Sequence, residues 1–294
     1  MAVGAILLAA KGLFAKALYA QGLSYHDVAA MRSVLAIPGF ALVAYVSMRR
    51  DRGKVRDRPS LSQWVAAALA GLWCYYLGSL ANFFALTLIQ ANVERALLFS
   101  YPAIVVLLTA LSSRTLPSSS TTLALVTTTV GVVLVTGAAD NALTATQWQG
   151  VLWVIFCSIT IATYFIASGA LTRTMSSAAF TLTAMTAAGS AFFIHHIILF
   201  GWLQFDLPGA SLWMMLGLIA FSTVLPLFFV AEGIRRVGAS RGALLSTVGP
   251  PATALMAYVL YDEHLSLYQV LGTLLVILSV ALLEWRAASK QRRR

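Results

Sequence analysis

The feature that most restricts how this chain can fold is a series of ten apolar stretches, each about 20 residues long and joined by short connections. A helix of about 20 apolar residues crosses the hydrocarbon core of a bilayer, and it satisfies its own backbone hydrogen bonds there. The sequence therefore predicts an all-α integral membrane protein with ten transmembrane helices. The predicted helices lie near residues 3–20, 27–48, 62–86, 93–113, 121–139, 148–170, 178–201, 211–233, 240–261 and 266–285.

Composition supports a lipid-facing exterior. Sixty per cent of the residues are hydrophobic and 10% are charged, with a mean hydropathy of +0.83. A soluble domain carries roughly 25% charged residues, so this chain has too few charges to cover a water-facing surface. The two cysteines, Cys74 and Cys157, lie inside apolar stretches and indicate neither a disulfide framework nor a zinc site.

The positive charge is distributed as in a membrane protein. The net charge of +10 would suit a nucleic-acid partner, but no soluble domain is predicted that could present a basic face. With both termini in the cytoplasm, 16 of the 20 Lys and Arg residues fall on the cytoplasmic side, among them six between the second and third helices. The opposite loops carry Asp140 and Asp206 and no Lys or Arg. The positive-inside rule therefore predicts cytoplasmic termini.

A weak internal similarity indicates two halves of five helices, residues 1–139 and 140–294. An odd number of helices makes the second half enter the membrane from the opposite side, which gives an inverted repeat. Residues 91–102 align with 239–250 without a gap, and three positions are identical, including Pro102 with Pro250. So few identities leave chance as the alternative to duplication.

Charges inside the membrane are costly, so they are candidates for function. Lys11 lies near the middle of the first helix and is predicted to bind a substrate carboxylate, with snorkelling or a carbonyl hydrogen bond as the alternative. Arg32 and Arg95, near helix ends, are interpreted as structural, with Glu94 as a partner for either. No acidic residue is expected near mid-membrane. A cavity that carries the positive charge of Lys11 and no acidic residue favours a zwitterionic or anionic substrate.

Aromatic and polar residues share one face of the sixth helix, at spacings of three and four. These residues are Trp153, Cys157, Thr160, Tyr164 and Ser168. Such a face is predicted to line a cavity, and hydrogen bonding between helices is the alternative. Tyr76 and Tyr101 add aromatic candidates, and a mid-helix Pro such as Pro250 is tolerated where it lines a cavity. The predicted substrate-binding residues are Lys11, Tyr76, Tyr101, Trp153, Tyr164 and Pro250.

Other ionisable residues are interpreted as structural. Glu232 precedes Arg235 and Arg236 by three and four positions, the spacing of ion pairs on a helix surface. His195 and His196 are adjacent, so they point in different directions on a helix, and a proton relay is the alternative that we disfavour. No nucleotide-binding loop, metal cluster or nucleophile–base pair is recognisable. The sequence therefore predicts neither an enzyme, a cofactor nor a bound metal.

The chain resembles the drug/metabolite transporter superfamily, in its bacterial EamA-type branch. The resemblance is carried by the helix number, the possible repeat and short motifs at Lys11-Gly12, Lys16, Gly22, Arg32, Tyr101-Pro102, Pro250, Asp262-Glu263 and Gly272. It implies a cavity between two halves, alternating access and metabolite export at the bacterial inner membrane. Branch members export amino acids, including aromatic ones. Other members of the superfamily carry organic anions or phosphorylated sugars, which is the alternative.

Overall fold

The computed structural model describes most of the 294 residues, and every regular element within the described residues is a helix. The described residues are 2–50, 59–98, 100–112, 119, 122–123, 126–127, 130–131, 134, 144–202, 207, 209–237, 256, 259 and 266–292.

Twelve α-helices and two π-helical segments make up the described part of the chain. The α-helices are α1 (Ala2–Ala9), α2 (Lys11–Ala20), α3 (Tyr25–Arg50), α4 (Leu61–Gly71), α5 (Ser79–Leu88), α6 (Ala91–Leu98), α7 (Tyr101–Ser112), α8 (Ala145–Leu171), α9 (Ser177–Phe200), α10 (Gly209–Ile219), α11 (Leu225–Val237) and α12 (Leu267–Arg292). The π segment Leu72–Gly78 joins α4 to α5, and the π segment Ala220–Val224 joins α10 to α11.

Five helices within the described residues are long and apolar enough to cross a membrane. They are Tyr25–Ser47, Leu61–Leu88, Ala145–Leu171, Ser177–Phe200 and Gly209–Arg236. These spans confirm five of the predicted helices. The first predicted helix is divided at Ala10 and the fourth between Leu98 and Tyr101. The fifth and ninth, at 121–139 and 240–261, fall largely outside the described residues.

Two spans begin earlier than the apolar pattern predicts, because each starts at a capping box. The Ser60 amide donates to the Gln63 side chain at 2.8 Å, and the Gln63 amide donates to Ser60 Oγ at 3.4 Å. Thr144 and Gln147 make the same reciprocal pair at 3.0 and 3.2 Å. These polar residues satisfy free backbone groups at the helix start, so each helix begins before its apolar run.

Glycines allow the spans to approach closely. Helix α9 packs most extensively against α3 and α4. A Cβ atom on Gly71 of α4 would lie 2.1 Å from the carbonyl oxygen of Ala184 in α9, and one on Gly78 would lie 2.1 Å from Thr160 Oγ1 in α8. Small residues at such crossings let helix backbones make van der Waals contact, and here they hold α4 and the following π segment against α8 and α9.

Polar contacts hold both ends of α9. At its first residue, Ser177 Oγ donates to Glu232 Oε2 of α11 at 2.7 Å. Glu232 also pairs with Arg235 and Arg236, which confirms the ion pairs predicted from their spacing. Near the other end, His196 Nε2 lies 2.9 Å from Asp27 Oδ1 of α3. Helix α9 is thereby tied to α11 at one end and to α3 at the other.

Candidate substrate cavity

A cavity lies among the helices, between the described residues of the first 112 positions and those of 145–237. It encloses about 110 Å³ of space that the centres of water molecules can reach. Its polar lining includes Lys11, Arg32, Ser79, Asn82 and Ser222. Most of the remaining lining is aromatic or aliphatic, with Tyr101, Tyr164, Phe165, Leu227 and Val230 among its residues.

Both π segments contribute to this lining. Cys74 and Tyr75 come from Leu72–Gly78, and Ser222 comes from Ala220–Val224. A π turn inserts one extra residue into the helical ladder, and such turns are frequent at functional sites. Ser222 Oγ donates to the carbonyl oxygen of Leu7 at 3.0 Å. The second π segment therefore also holds α1 beside the cavity.

A buried polar cluster of Lys11, Asn82 and Glu94 lies at one side of the cavity. The Lys11 ammonium donates to Asn82 Oδ1, and Asn82 Nδ2 donates to Glu94 Oε1. Only 2% of Glu94 is exposed. The expectation that Lys11 has no acidic residue near it is therefore wrong. Helix α6 packs against α2, and a Cβ on Gly12 would lie 3.7 Å from Glu94 Oε2.

Arg32 is the second cation of the cavity. Its Nη2 donates to Ser79 Oγ at 2.8 Å and to Ser33 Oγ at 3.2 Å. Its guanidinium carbon lies 5.1 Å from the centroid of the Phe83 ring, and 4% of the residue is exposed. Arg32, interpreted from the sequence as a structural side chain near a helix end, is thus buried and borders the cavity.

The position of Arg32 follows from where α3 begins. The Asp27 amide donates to Ser24 Oγ at 3.1 Å, and the Ser24 amide donates to Asp27 Oδ2 at 3.3 Å. This reciprocal pair starts the helix at Tyr25, so Arg32 lies about two turns inside it. Ser24 and Asp27 are the sequence signal for this start, which lies two residues before the predicted start of the helix at residue 27.

Aromatic rings form another part of the lining. The Tyr164 ring lies edge-on to Tyr75 with centroids 4.8 Å apart, and its centroid is 5.3 Å from that of Phe180. The centroids of the Tyr101 and Phe165 rings are 4.9 Å apart. Edge-to-face contacts of this kind are favourable beyond the area they bury. The structure thus brings three of the predicted residues, Lys11, Tyr101 and Tyr164, to one cavity.

The remaining predicted residues are not brought to the cavity. Tyr76 turns away, and its hydroxyl lies 2.6 Å from His195 Nδ1. Trp153 is 38% exposed and its ring contacts Phe84 and Phe156, so it is not among the described lining residues. Tyr75, which the sequence analysis did not select, takes the place expected of Tyr76. Pro250 lies outside the described residues.

Long apolar helices around a polar and aromatic cavity define a membrane protein built to hold a small molecule. The chain belongs to the EamA-like transporter family, whose profile matches residues 1–137 and again residues 148–285. The protein is therefore a membrane transporter, and its resemblance to the EamA-type branch is confirmed.

Two further comparisons concern a related sequence and a solved structure. The chain is 29% identical over 289 residues to the "Uncharacterized transporter YcbK" of Bacillus subtilis (strain 168), covering 97% of this chain and 91% of that protein. A protein of known crystal structure superposes with a TM-score of 0.66, covering 98% of this chain and 96% of the other at 17% identity. That likeness supports the fold alone.

Proposed function

We propose that this transporter exports small zwitterionic metabolites with apolar bodies, foremost hydrophobic and aromatic amino acids. The observation that carries the proposal is a cavity lining that combines two cations and several polar groups with aromatic and aliphatic side chains. Few other small metabolites combine a carboxylate, an ammonium group and an apolar side chain within a few ångströms.

The cavity offers polar groups for the charged end of such a molecule and aromatic groups for its apolar end. Lys11, Arg32 and Asn82 offer hydrogen-bond donors to a carboxylate, while Tyr101, Tyr164 and Phe165 surround space for an apolar side chain. Binding sites for small molecules commonly combine an apolar wall with a few polar groups that fix orientation. The two cations disfavour a cationic drug as the substrate, because like charges repel at close range.

The proposal includes two five-helix halves, residues 1–139 and 140–294, with the substrate between them. The spans Leu61–Leu88 and Gly209–Arg236 are both 28 residues long and start 148 positions apart. The π segments, which begin at Leu72 and Ala220, are separated by the same 148 positions. This is also the offset that aligns Pro102 with Pro250. Two matches to one family profile further support duplication.

Such halves would move against each other to expose the cavity to either side of the membrane in turn, as in transporters built from inverted repeats.

We place both termini in the cytoplasm of a bacterial cell, on the distribution of Lys and Arg. Single cysteines introduced beside Arg52, Asp140 and Asp206, in a variant with Cys74 and Cys157 replaced, test this topology. An impermeant thiol reagent should label only the last two sites in intact cells. Labelling beside Arg52 would reverse the orientation.

The substrate is tested by counterflow in proteoliposomes that hold the purified full-length protein. Vesicles preloaded with unlabelled phenylalanine or leucine should accumulate the labelled amino acid, and vesicles without protein should not. The second candidate, a carrier of organic anions or phosphorylated sugars, is favoured by the presence of two cavity cations, Lys11 and Arg32. Counterflow of a sugar phosphate in the absence of amino-acid counterflow would replace the amino-acid proposal with this one.

A further inference from the structure

The two cations of the cavity differ in their partners. Lys11 belongs to a hydrogen-bonded cluster that includes the carboxylate of Glu94, with Asn82 between them. Arg32, in the part of the chain that the structure describes, makes its hydrogen bonds to serine hydroxyls and packs on the Phe83 ring. No carboxylate among the described residues forms an ion pair with it. A buried charge without a counter-charge is costly, so Arg32 is the cation that most needs an anion.

The guanidinium is also equipped to bind one. It carries five N–H donors in a planar fork that matches the two oxygens of a carboxylate. Both of its hydrogen bonds come from Nη2, whereas Nε is buried and has no hydrogen-bond partner in the described residues. Arg32 lines the cavity itself. Donor capacity therefore remains at a side chain that borders the space a substrate would enter.

Ser79 completes the arrangement. Its hydroxyl accepts from Arg32 Nη2 at 2.8 Å and also lines the cavity. A hydroxyl that accepts a hydrogen bond from arginine keeps its own proton, which it can donate to an anion. Ser79 follows the π segment directly, so the extra residue of the π turn helps to set the direction of its side chain toward Arg32.

We propose that Arg32, positioned by Ser79, binds the carboxylate of the transported molecule, while Lys11 balances the charge of Glu94. The inference rests on the proposed function, since it names the group that selects carboxylate-bearing substrates over their neutral analogues. The apolar body of the substrate then extends toward Tyr101 and Tyr164. Arg32 is a binding residue in this scheme and Ser79 a positioning residue.

A pair of nearly isosteric probes tests the assignment by direct binding. Phenylacetate and phenylacetamide differ in charge at one group, and a ligand that binds the folded state raises the temperature of thermal unfolding. The full-length protein in detergent should be stabilised by phenylacetate more than by phenylacetamide. Arg32→Gln should remove this difference, with a loss of phenylacetate affinity of about ten- to hundredfold. Arg236→Gln, which alters an exposed arginine of α11, should keep it.

Two more variants keep the test decisive if Arg32→Gln does not fold. Arg32→Lys keeps the charge without the fork, and Ser79→Ala keeps the arginine without its hydroxyl partner. Both should retain part of the preference for phenylacetate. The assignment is overturned if the wild type does not distinguish the probes, or if all three variants bind phenylacetate as tightly as the wild type. It is also overturned if Lys11→Met removes the preference while Arg32→Lys leaves it whole.

The binding test is independent of the transport test. A wild-type protein that binds phenylacetate through Arg32 but shows no phenylalanine counterflow would keep the anion site and lose the amino-acid proposal. A protein that exchanges phenylalanine but binds phenylacetate equally well after Arg32→Gln would keep the proposed function and lose the role of Arg32.

Discussion

The two parts of the chain that enclose the cavity share a backbone device and differ in chemistry. Each contributes a 28-residue span interrupted by a π segment, Leu72–Gly78 in one and Ala220–Val224 in the other. Among the described lining residues, every charged side chain comes from the first 112 positions, whereas residues 145–237 supply mainly aromatic and aliphatic groups. A common framework therefore carries both cations in one part of the chain and none in the other, among the described lining residues, and this asymmetry of charge can hold a substrate in one orientation.

The two π segments also differ in how they pack and in what they present to the cavity. The first lies between Gly71 and Gly78, whose missing side chains let it press against α8 and α9. That close contact brings Cys74 and Tyr75 to the cavity. The positions 148 residues later are Ile219 and Pro226, and the second segment presents Ser222 at the cavity while bonding to Leu7. A π turn of similar register thus positions side chains of different polarity.

The largest effect that we expect comes from breaking the polar side at Glu94. Glu94→Gln removes the buried carboxylate of the cluster and leaves the half-buried Lys11 charge without it. Removal of one partner from a buried charged network typically costs about 3–5 kcal/mol. The free energy of unfolding of the purified protein in detergent should fall by about this amount. Glu232→Gln is the matched control, since it disrupts a partly exposed ion pair worth up to about 1 kcal/mol.

The double variant Glu94→Gln with Lys11→Met sharpens this result. Removing both charges should recover part of the stability that Glu94→Gln loses, because no unbalanced charge remains in the cluster. The same reasoning changes the expectation for Lys11→Ala, which on sequence grounds alone should leave folding intact. With Glu94 nearby, that substitution should destabilise the protein. If Glu94→Gln is as stable as the wild type, the cluster does not stabilise the protein as proposed.

Hydrophobic length was enough to predict the long spans, and residue chemistry was enough to bring Lys11, Tyr101 and Tyr164 to one cavity. Tyr75 lines the cavity and Tyr76 contacts His195, because a π segment changes the phase of the helix relative to 3.6 residues per turn. Periodicity measured along an apolar run does not reveal such an insertion.

Arg32 and Glu94 were misjudged for a different reason. Arg32 was assigned to a helix end from its position along the sequence, and Glu94 was offered only as a partner for Arg32 or Arg95, but burial depends on the helices that pack around each residue. Arg32 is covered beside α5, where Phe83 and Ser79 contact it, and Glu94 is covered where α6 meets α2 and α5. The two hydrogen bonds and the ring contact join residues 12 to 51 positions apart, and a single sequence does not specify them.

A smaller effect is expected on the apolar side, at Tyr164. Its ring lines the cavity and packs against Tyr75 and Phe180. An aromatic contact contributes about 0.5–1.5 kcal/mol beyond its buried area, so Tyr164→Ala should lower the preference for phenylalanine over leucine by about two- to tenfold. The ratio of the two counterflow rates in one preparation measures this preference independently of the amount of folded protein. Tyr164→Phe should preserve it.

Trp153→Leu, which removes a ring of the same helix that does not line the cavity, should leave the ratio unchanged. The opposite result is that Trp153→Leu lowers the ratio and Tyr164→Ala does not. The apolar body of the substrate would then lie against Trp153 of α8, and the aromatic lining around Tyr164 would no longer explain selectivity.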